Sequence, residues 1–455
     1  MNLDSFFNPR SVAVIGASHD PEKIGYVVFT NFLNGLFKGK VYPVNKNTEP
    51  ILGMKVYPSV LEIPDSVDLA VIVVPTNFVN SVLLECVKKG VKSVVIITSG
   101  FSEMGDDGKR LEEELKKIVR GTKTRVVGPN CLGIFDSYSN VDMLFLSRKR
   151  CGRPKEGNIS FISQSGAVGS TILDWLSEEE IGMSKFVSYG NGMDINETDL
   201  IEYLGKDPKT KVITAYIEGL KSHGKKFIEV CKQVSKNKPI IILKAGKTKK
   251  GTEAVSSHTG SLAGSGKIYS AAMKQAGVIE AQTWEELFDF ARAFSTQPIP
   301  KGERVVIITD GGGFGVLATD EAERSQLKLP EPSEKLKESI RKVTPSYAIL
   351  HNPIDLTGDA DAERFRVAVE ECLKSGEYDG LIVIVLFQIP TLEEKIVDYL
   401  SELKKKYKKP ILACAAGGEY SNKLSRKLSK NGIPVYPTPE RAVKTMKMLV
   451  EYGKG

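Results

Sequence analysis

The chain has 455 residues, 41% of them hydrophobic and 26% charged, enough apolar surface for about three globular domains. Its net charge of +7 is spread along the sequence and not focused in one aromatic-interleaved patch, which argues against nucleic acid as a partner. No apolar run is long enough to cross a bilayer, and residues 1–7 lack the basic-then-apolar pattern of a signal peptide, so no membrane contact and a cytoplasmic location are expected. Six scattered cysteines form no CxxC pair, so neither a disulfide framework nor a metal site is expected.

Short β-branched runs alternating with amphipathic, helix-length segments predict parallel α/β domains. The first strands fall at 11–15, 40–44, 69–74, 93–98 and 125–127. Four of the five run into turns containing Gly, Pro or Asn, at the edge where an open α/β sheet binds ligands. Gly16-Ala17-Ser18, continuing to Lys23-Ile24-Gly25, takes the place of a dinucleotide phosphate loop, although its spacing departs from GxGxxG. The second strand ends in Asn45-Lys46, where an NAD site would carry an acid. A lysine there suits the phosphorylated ribose of coenzyme A or NADP, the alternative being a plain solvated strand end. Residues 131–157, polar and basic with Arg148-Lys149-Arg150, read as a linker that closes a first domain at 1–130.

A second series of strands is expected at 158–163, 186–189, 212–217 and 239–243, and a third opens at 304–309 after the proline-containing connector 297–302. These give domains at 158–296 and 297–455, which look like a distant internal repeat. Each begins with an apolar strand running into a small-residue helix start, Ser163-Gln164-Ser165-Gly166 in one and Thr309-Asp310-Gly311-Gly312-Gly313 in the other. Unpaired N–H groups and the helix dipole make such starts anion sites, so Ser163, Ser165, Gly166, Gly311, Gly312 and Gly313 are expected to bind phosphate. Gly246-Lys247-Thr248 is no P-loop, because Ile241 stands where that motif requires glycine.

His258, one of four histidines, sits in the glycine-, serine- and threonine-rich run from Val255 to Ser265. Two readings stand: a nitrogen nucleophile that takes up and hands on a phosphoryl group, or an incidental histidine on a surface loop. Glu218 ends a predicted strand and precedes Gly219; it suits a carboxylate that orients the imidazole, and equally a solvated strand end.

The ordered set Gly16-Ala17-Ser18, Val74-Pro75, Thr98-Ser99-Gly100-Phe101, Gly128-Pro129-Asn130-Cys131-Leu132-Gly133, Ser163-Gln164-Ser165-Gly166 and Ser257-His258-Thr259-Gly260-Ser261 resembles the nucleoside-diphosphate-forming acyl-CoA synthetases over essentially the whole chain. It is most similar to the α subunits of the ADP-forming acetyl-CoA synthetases. The resemblance implies a Rossmann-like CoA-binding domain followed by two flavodoxin-like ligase domains. It implies coenzyme A contacts from Gly16, Ser18, Lys23, Gly25, Asn45, Lys46, Val74, Pro75, Ser99, Gly100, Asn130 and Cys131, with Ser165 near the thioester. It further implies phosphate between helix starts matching Gly166 and Gly312, a transiently phosphorylated His258, and Glu218 as its supporting acid. The reaction implied is acyl-CoA, ADP and phosphate to carboxylic acid, CoA and ATP. ADP or ATP, with Mg, is expected on a separate ATP-grasp β subunit. Succinyl-CoA synthetase α subunits end after two domains, so the third domain sets this chain apart from them. Two other classes remain: a CoA-binding regulatory protein without turnover, and an NADP-dependent oxidoreductase, for which no hydride-transfer site is legible.

Overall fold

The computed structural model describes residues 3–259 and 266–454, with no description of the side chains of 256–259. It comprises two compact units, Met1–Gln282 and Thr283–Gly455. No helix among the described residues is long and apolar enough to cross a membrane.

The first unit holds two sheets. β1 (Ser11–Ile15), β2 (Lys40–Val44), β3 (Leu69–Ile72), β4 (Ser93–Ile96) and β5 (Arg125–Val127) form a parallel sheet in the order β2-β1-β3-β4-β5. Every residue of β1, β3 and β4 is buried, as a parallel sheet covered on both faces requires, and this is why they read as unbroken apolar runs. The strand order reverses between β1 and β3, which opens a crevice beyond their carboxyl ends.

The second sheet contains β6 (Gly133–Asp136), β7 (Val141–Asp142), β8 (Glu156–Ser163), β9 (Met183–Ser188), β10 (Val212–Ile217), β11 (Ile240–Lys244) and β12 (Ile279–Ala281), ordered β12-β11-β10-β8-β9-β6-β7. It is parallel apart from β6 and β7. Those two strands correct the expected linker, 131–157. Two basic residues of this stretch neutralise a buried acid: Asp142 is fully buried and receives Arg153 Nε at 3.0 Å and Arg148 Nη2 at 2.9 Å. Val12, Val14, Leu69 and Val71 of the first sheet pack in one continuous core with Ile134, Ile162 and Ile213 of the second, so the two sheets form a single unit.

The second unit carries β13 (Val305–Thr309), β14 (Ile349–Leu350), β15 (Ile354–Asp355), β16 (Gly380–Ile384), β17 (Ile411–Cys414) and β18 (Val435–Tyr436), ordered β14-β15-β13-β16-β17-β18 with β14 antiparallel. The helix Trp284–Thr296 falls in this unit. Its Asp289 carboxylate takes two hydrogen bonds from Arg441, at 2.6 and 2.7 Å, and its Asp289 carbonyl accepts from the Tyr436 hydroxyl at 3.0 Å.

The whole is an α/β protein with one Rossmann-like and two flavodoxin-like sheets, and the latter two repeat one frame. The strand order reverses between β8 and β10 in one and between β13 and β16 in the other. Ser163 Oγ donates to the Ser165 carbonyl at 2.6 Å, and Thr309 Oγ1 donates to the Gly311 carbonyl at 3.1 Å. Each turn then opens a 13-residue helix, Gly166–Glu178 or Gly312–Arg324.

Candidate functional site

In the first unit a cavity of about 1470 Å³ is lined from the carboxyl ends of β1, β2, β3, β4, β8 and β10. Both strand-order reversals of this unit therefore open into it. At its Rossmann-like wall Gly16 has φ +97°, and a Cβ there would lie 2.6 Å from the Val73 carbonyl oxygen. A Cβ on Gly25 would lie 1.9 Å from the Gly16 carbonyl oxygen, so the helix Ile24–Asn34 begins directly against the loop. Asn45 Nδ2 donates to the Ala17 carbonyl at 2.7 Å, tying the end of β2 to the same loop. Ser18 Oγ accepts from the Asp20 N–H at 3.1 Å. The turns after β3 and β4 are joined by Thr98 Oγ1 donating to the Val74 carbonyl, 2.7 Å, and Thr76 Oγ1 donating to the Ser99 carbonyl, 2.8 Å.

Lys23 and Lys46 are exposed along this wall. Lys46 Nζ stands 4.7 Å from the ring centroid of Phe78, which is 41% exposed and also lines the cavity. An exposed aromatic ring with an ammonium group at its face, and a second lysine lining the same cavity, suit a heteroaromatic ring carrying phosphates. The structure thus brings Gly16, Ser18, Lys23, Gly25, Asn45, Lys46, Val74, Pro75, Ser99, Asn130 and Cys131 to one cavity. Gly100 is not among its lining residues, and its N–H donates to Glu103 Oε1 at 2.6 Å.

The floor is a network the sequence did not announce. Asn130, at φ +58°, donates its N–H to the Thr98 carbonyl, 2.9 Å, and its side-chain amide to Asn191 Oδ1, 3.3 Å. Asn191 Nδ2 in turn donates to Glu103 Oε2 at 2.6 Å and Glu112 Oε2 at 2.9 Å. Burial acts to raise the Glu103 pKa, yet hydrogen bonds from Asn191 and the Gly100 and Phe101 N–H groups outweigh it and hold the carboxyl below its ordinary value. Cys131 donates to the Ile96 carbonyl at 3.3 Å, and burial pushes its pKa up to about 12. It is a neutral thiol in the wall and no nucleophile.

At the opposite wall Ser165 caps the Gly166 helix, its Oγ accepting from the Val168 N–H. Ser163 is wholly buried, its hydroxyl committed to the turn, and does not reach the cavity. Glu218 is 5% exposed and lines the cavity; Tyr216 OH donates to its Oε1 at 3.3 Å. Lys244, fully buried at the end of β11, donates to the Glu218 carbonyl at 2.7 Å. Burial lowers the Lys244 pKa, and Glu218 partly opposes that. Lys221 lies nearby on the same cavity, its pKa also lowered by burial against the pull of Glu112, Glu197 and Glu218. The helix Lys249–Thr259 carries the backbone of His258 in its last turn, where a loop is expected from composition. The His258 side chain and residues 260–265 lie outside the described residues. Lys247, two residues before that helix, pairs with Glu280 at 2.9 Å.

In the second unit Gly311 caps the helix that Gly312 and Gly313 begin. Asp310, 2% exposed, accepts the Leu386 N–H on Oδ1 at 3.1 Å and Oδ2 at 3.2 Å. Burial pushes its pKa up to about 7, with Asp355 adding to the rise and the Leu386 N–H opposing it.

Sequence reasoning passed over Gln164, Lys221, Lys244, Asn191, Glu103 and Phe78. Lys244 had a legible signal, a lysine closing an Ile-Ile-Ile-Leu run, and Gln164 lay inside a motif already noticed. Family models match three consecutive stretches: a CoA binding domain at 10–136, a succinyl-CoA ligase like flavodoxin domain at 156–294, and a ligase-CoA domain at 305–452. The chain is 47% identical to the acetate–CoA ligase [ADP-forming] II subunit alpha of Pyrococcus furiosus, covering 99% of this chain and 98% of that one. It is 44% identical to an acetate–CoA ligase [ADP-forming] of Methanocaldococcus jannaschii, covering 98% of this chain but 62% of that longer one. A solved structure of the dinucleotide forming acetyl-coenzyme A synthetase 1 of Ca. Korarchaeum cryptofilum, in complex with phosphate and ADP, superposes with a TM-score of 0.93 at 40% identity, covering 100% of this chain and 97% of that one.

Proposed function

This chain belongs to the ADP-forming acyl-CoA synthetases, among their α subunits, and from that premise we propose that it is the α subunit of an ADP-forming acetate–CoA ligase. The reaction is acyl-CoA, ADP and phosphate to carboxylic acid, CoA and ATP. One observation carries the reading: a single cavity joins the Gly16 loop and its lysines to the Gly166 helix start and Glu218. An acyl-CoA needs both walls, one for its nucleotide end and one for its reacting thioester. The residues present fit coenzyme A, with Lys23 and Lys46 for phosphates, Gly16, Gly25 and Asn45 shaping a loop for the diphosphate, and Ser18, Val74, Pro75 and Ser99 as walls. Asn130, Cys131 and Ser165 would surround the thioester, whose electrophile is the carbonyl of the acyl group and whose leaving group is the sulfur that coenzyme A supplies.

The helix starts at Gly166 and at Gly311, Gly312 and Gly313 are each proposed as phosphate sites. Phosphate attacks the thioester carbonyl, a C–O bond forms, and the C–S bond breaks with its electron pair leaving on the CoA sulfur. The acyl phosphate then passes its phosphoryl group to His258 and leaves as carboxylate. His258 hands the phosphoryl to ADP, which with Mg is held by an ATP-grasp β subunit, in the cytoplasm. Glu218 steadies the imidazole as it becomes cationic.

The test is co-expression with candidate ATP-grasp partners and assay of ATP formation from ADP, phosphate and a panel of acyl-CoAs. The pair is expected to make ATP, and the chain alone is expected to bind CoA without making any. ATP synthesis by the chain alone refutes the two-subunit reading. Nicotinamide binding without CoA retention would favour an oxidoreductase, and no labelling from γ-labelled ATP with the partner present would favour a regulatory protein.

A further inference from the structure

At the strand-order reversal of the second sheet, Gln164 is 6% exposed and lines the cavity. Its Oε1 accepts from the Glu218 N–H at 2.8 Å, the Gly219 N–H at 3.1 Å and the Tyr189 hydroxyl at 3.2 Å. Two of these donors are backbone N–H groups, which cannot accept, so the two ends of the amide cannot be exchanged. Nε2 is therefore a donor, and it is buried with no hydrogen-bond partner among the described residues. A buried amide donor without an acceptor is unfavourable, and because the side chain that carries it lines the cavity, an acceptor entering there would relieve that cost. Gly166 and Ala167, which open the next helix, line the same cavity, so the donor and the positive end of a helix dipole serve one volume.

We propose that Gln164 Nε2 donates a hydrogen bond to an oxygen of the phosphate that reacts at the Gly166 helix start, while Oε1 holds Glu218 beside it. This role rests on the acyl-CoA synthetase assignment. Gln164 exchanges no proton; it orients the phosphate as one of its other oxygens attacks the thioester carbonyl. A neutral amide suits the task, because an ammonium at the same place would pair the phosphate charge and weaken it as a nucleophile. The repeat supports the assignment by contrast. Asp310 occupies the matching position after β13, and both of its oxygens accept the Leu386 N–H, so no amide donor stands at that turn.

The test uses the full chain and inorganic phosphate. The ¹⁵N side-chain amide resonance of Gln164, assigned by its loss in Gln164→Glu, is expected to shift and saturate as phosphate is added. By calorimetry, Gln164→Met and Gln164→Glu are expected to lose at least tenfold in phosphate affinity with CoA affinity kept within twofold. A resonance unmoved at saturating phosphate, or Gln164→Met binding phosphate within threefold of the parent, overturns the role. If Gln164→Met fails to fold, the resonance decides alone. Failure of the parent to make ATP with its partner while the resonance still moves would refute the reaction and leave the phosphate donor standing; ATP synthesis with a still resonance would refute the donor alone.

Discussion

Replacing Asp310 by Asn isolates the electrostatic state of the second unit's helix start. Asp310 is buried, and burial carries its pKa from 3.8 to about 7. The folded protein therefore holds this proton up to neutral pH, while the unfolded chain releases it near pH 4. Stability attributable to Asp310 falls as pH rises from about 4 to about 7 and is level above that. A rise of that size corresponds to about 4 kcal/mol above pH 7, and to roughly 2 kcal/mol at pH 5. Asn is neutral at all pH values and keeps an oxygen to accept the Leu386 N–H, so Asp310→Asn removes the penalty. Its extra amide donor adds a pH-independent cost, which cancels when two pH values are compared. The variant's stability relative to the parent is thus expected to improve by roughly 2–3 kcal/mol between pH 5 and pH 8. At pH 8 the penalty relieved would move the unit's unfolding midpoint by on the order of 10 °C. Calorimetric unfolding of both proteins across that range measures the difference, with Asp355→Asn as a control that should lower the Asp310 pKa. A stability difference that does not change with pH would refute the placement of an uncharged carboxyl at this turn.

Lys46→Ala should weaken coenzyme A by about tenfold and dephospho-CoA by much less, since a charge-assisted contact to the 3′-phosphate is lost; the effect should shrink with added salt, and equal weakening of both ligands in calorimetry would reject the contact. His258→Ala should abolish acid-labile phosphate incorporation while CoA still binds. Glu218→Gln should slow that incorporation on the order of a hundredfold, and labelling at the parental rate would reduce Glu218 to a strand-end carboxylate.

The strands of the two main parallel frameworks were legible because parallel strands buried on both faces leave a single kind of mark, a short apolar run. That is why β1, β2, β5 and β10 match expectation at both ends. β6 and β7 were not legible, since they are short and antiparallel and their burial depends on ion pairs from Arg148, Arg153 and Lys185 that no hydropathy pattern encodes. The same divide runs through the site. Glycine positions could be read because a close approach such as Gly25 on Gly16 admits nothing larger. The Asn191–Glu103 contact could not, because it joins residues 88 apart whose meeting follows only from how the two sheets pack.

The two flavodoxin-like sheets show how one frame can carry two chemistries. In both, the residue after the central strand reaches across the strand-order reversal to a backbone N–H on the neighbouring strand's exit, Gln164 to Glu218 and Asp310 to Leu386. An amide has an acceptor and a donor, so spending Oε1 on the frame leaves Nε2 a donor without a partner among the described residues. A carboxyl spent on the same contact has no amide donor, and burial turns it into a group that titrates near neutrality. Across the reversal the partner residue differs too: Glu218 places a carboxylate beside the first helix start, whereas Leu386 brings none to the second. The two turns thus share one backbone geometry, while the side chains on either side of the reversal differ: an amide and a carboxylate in the first sheet, a carboxyl and a leucine in the second.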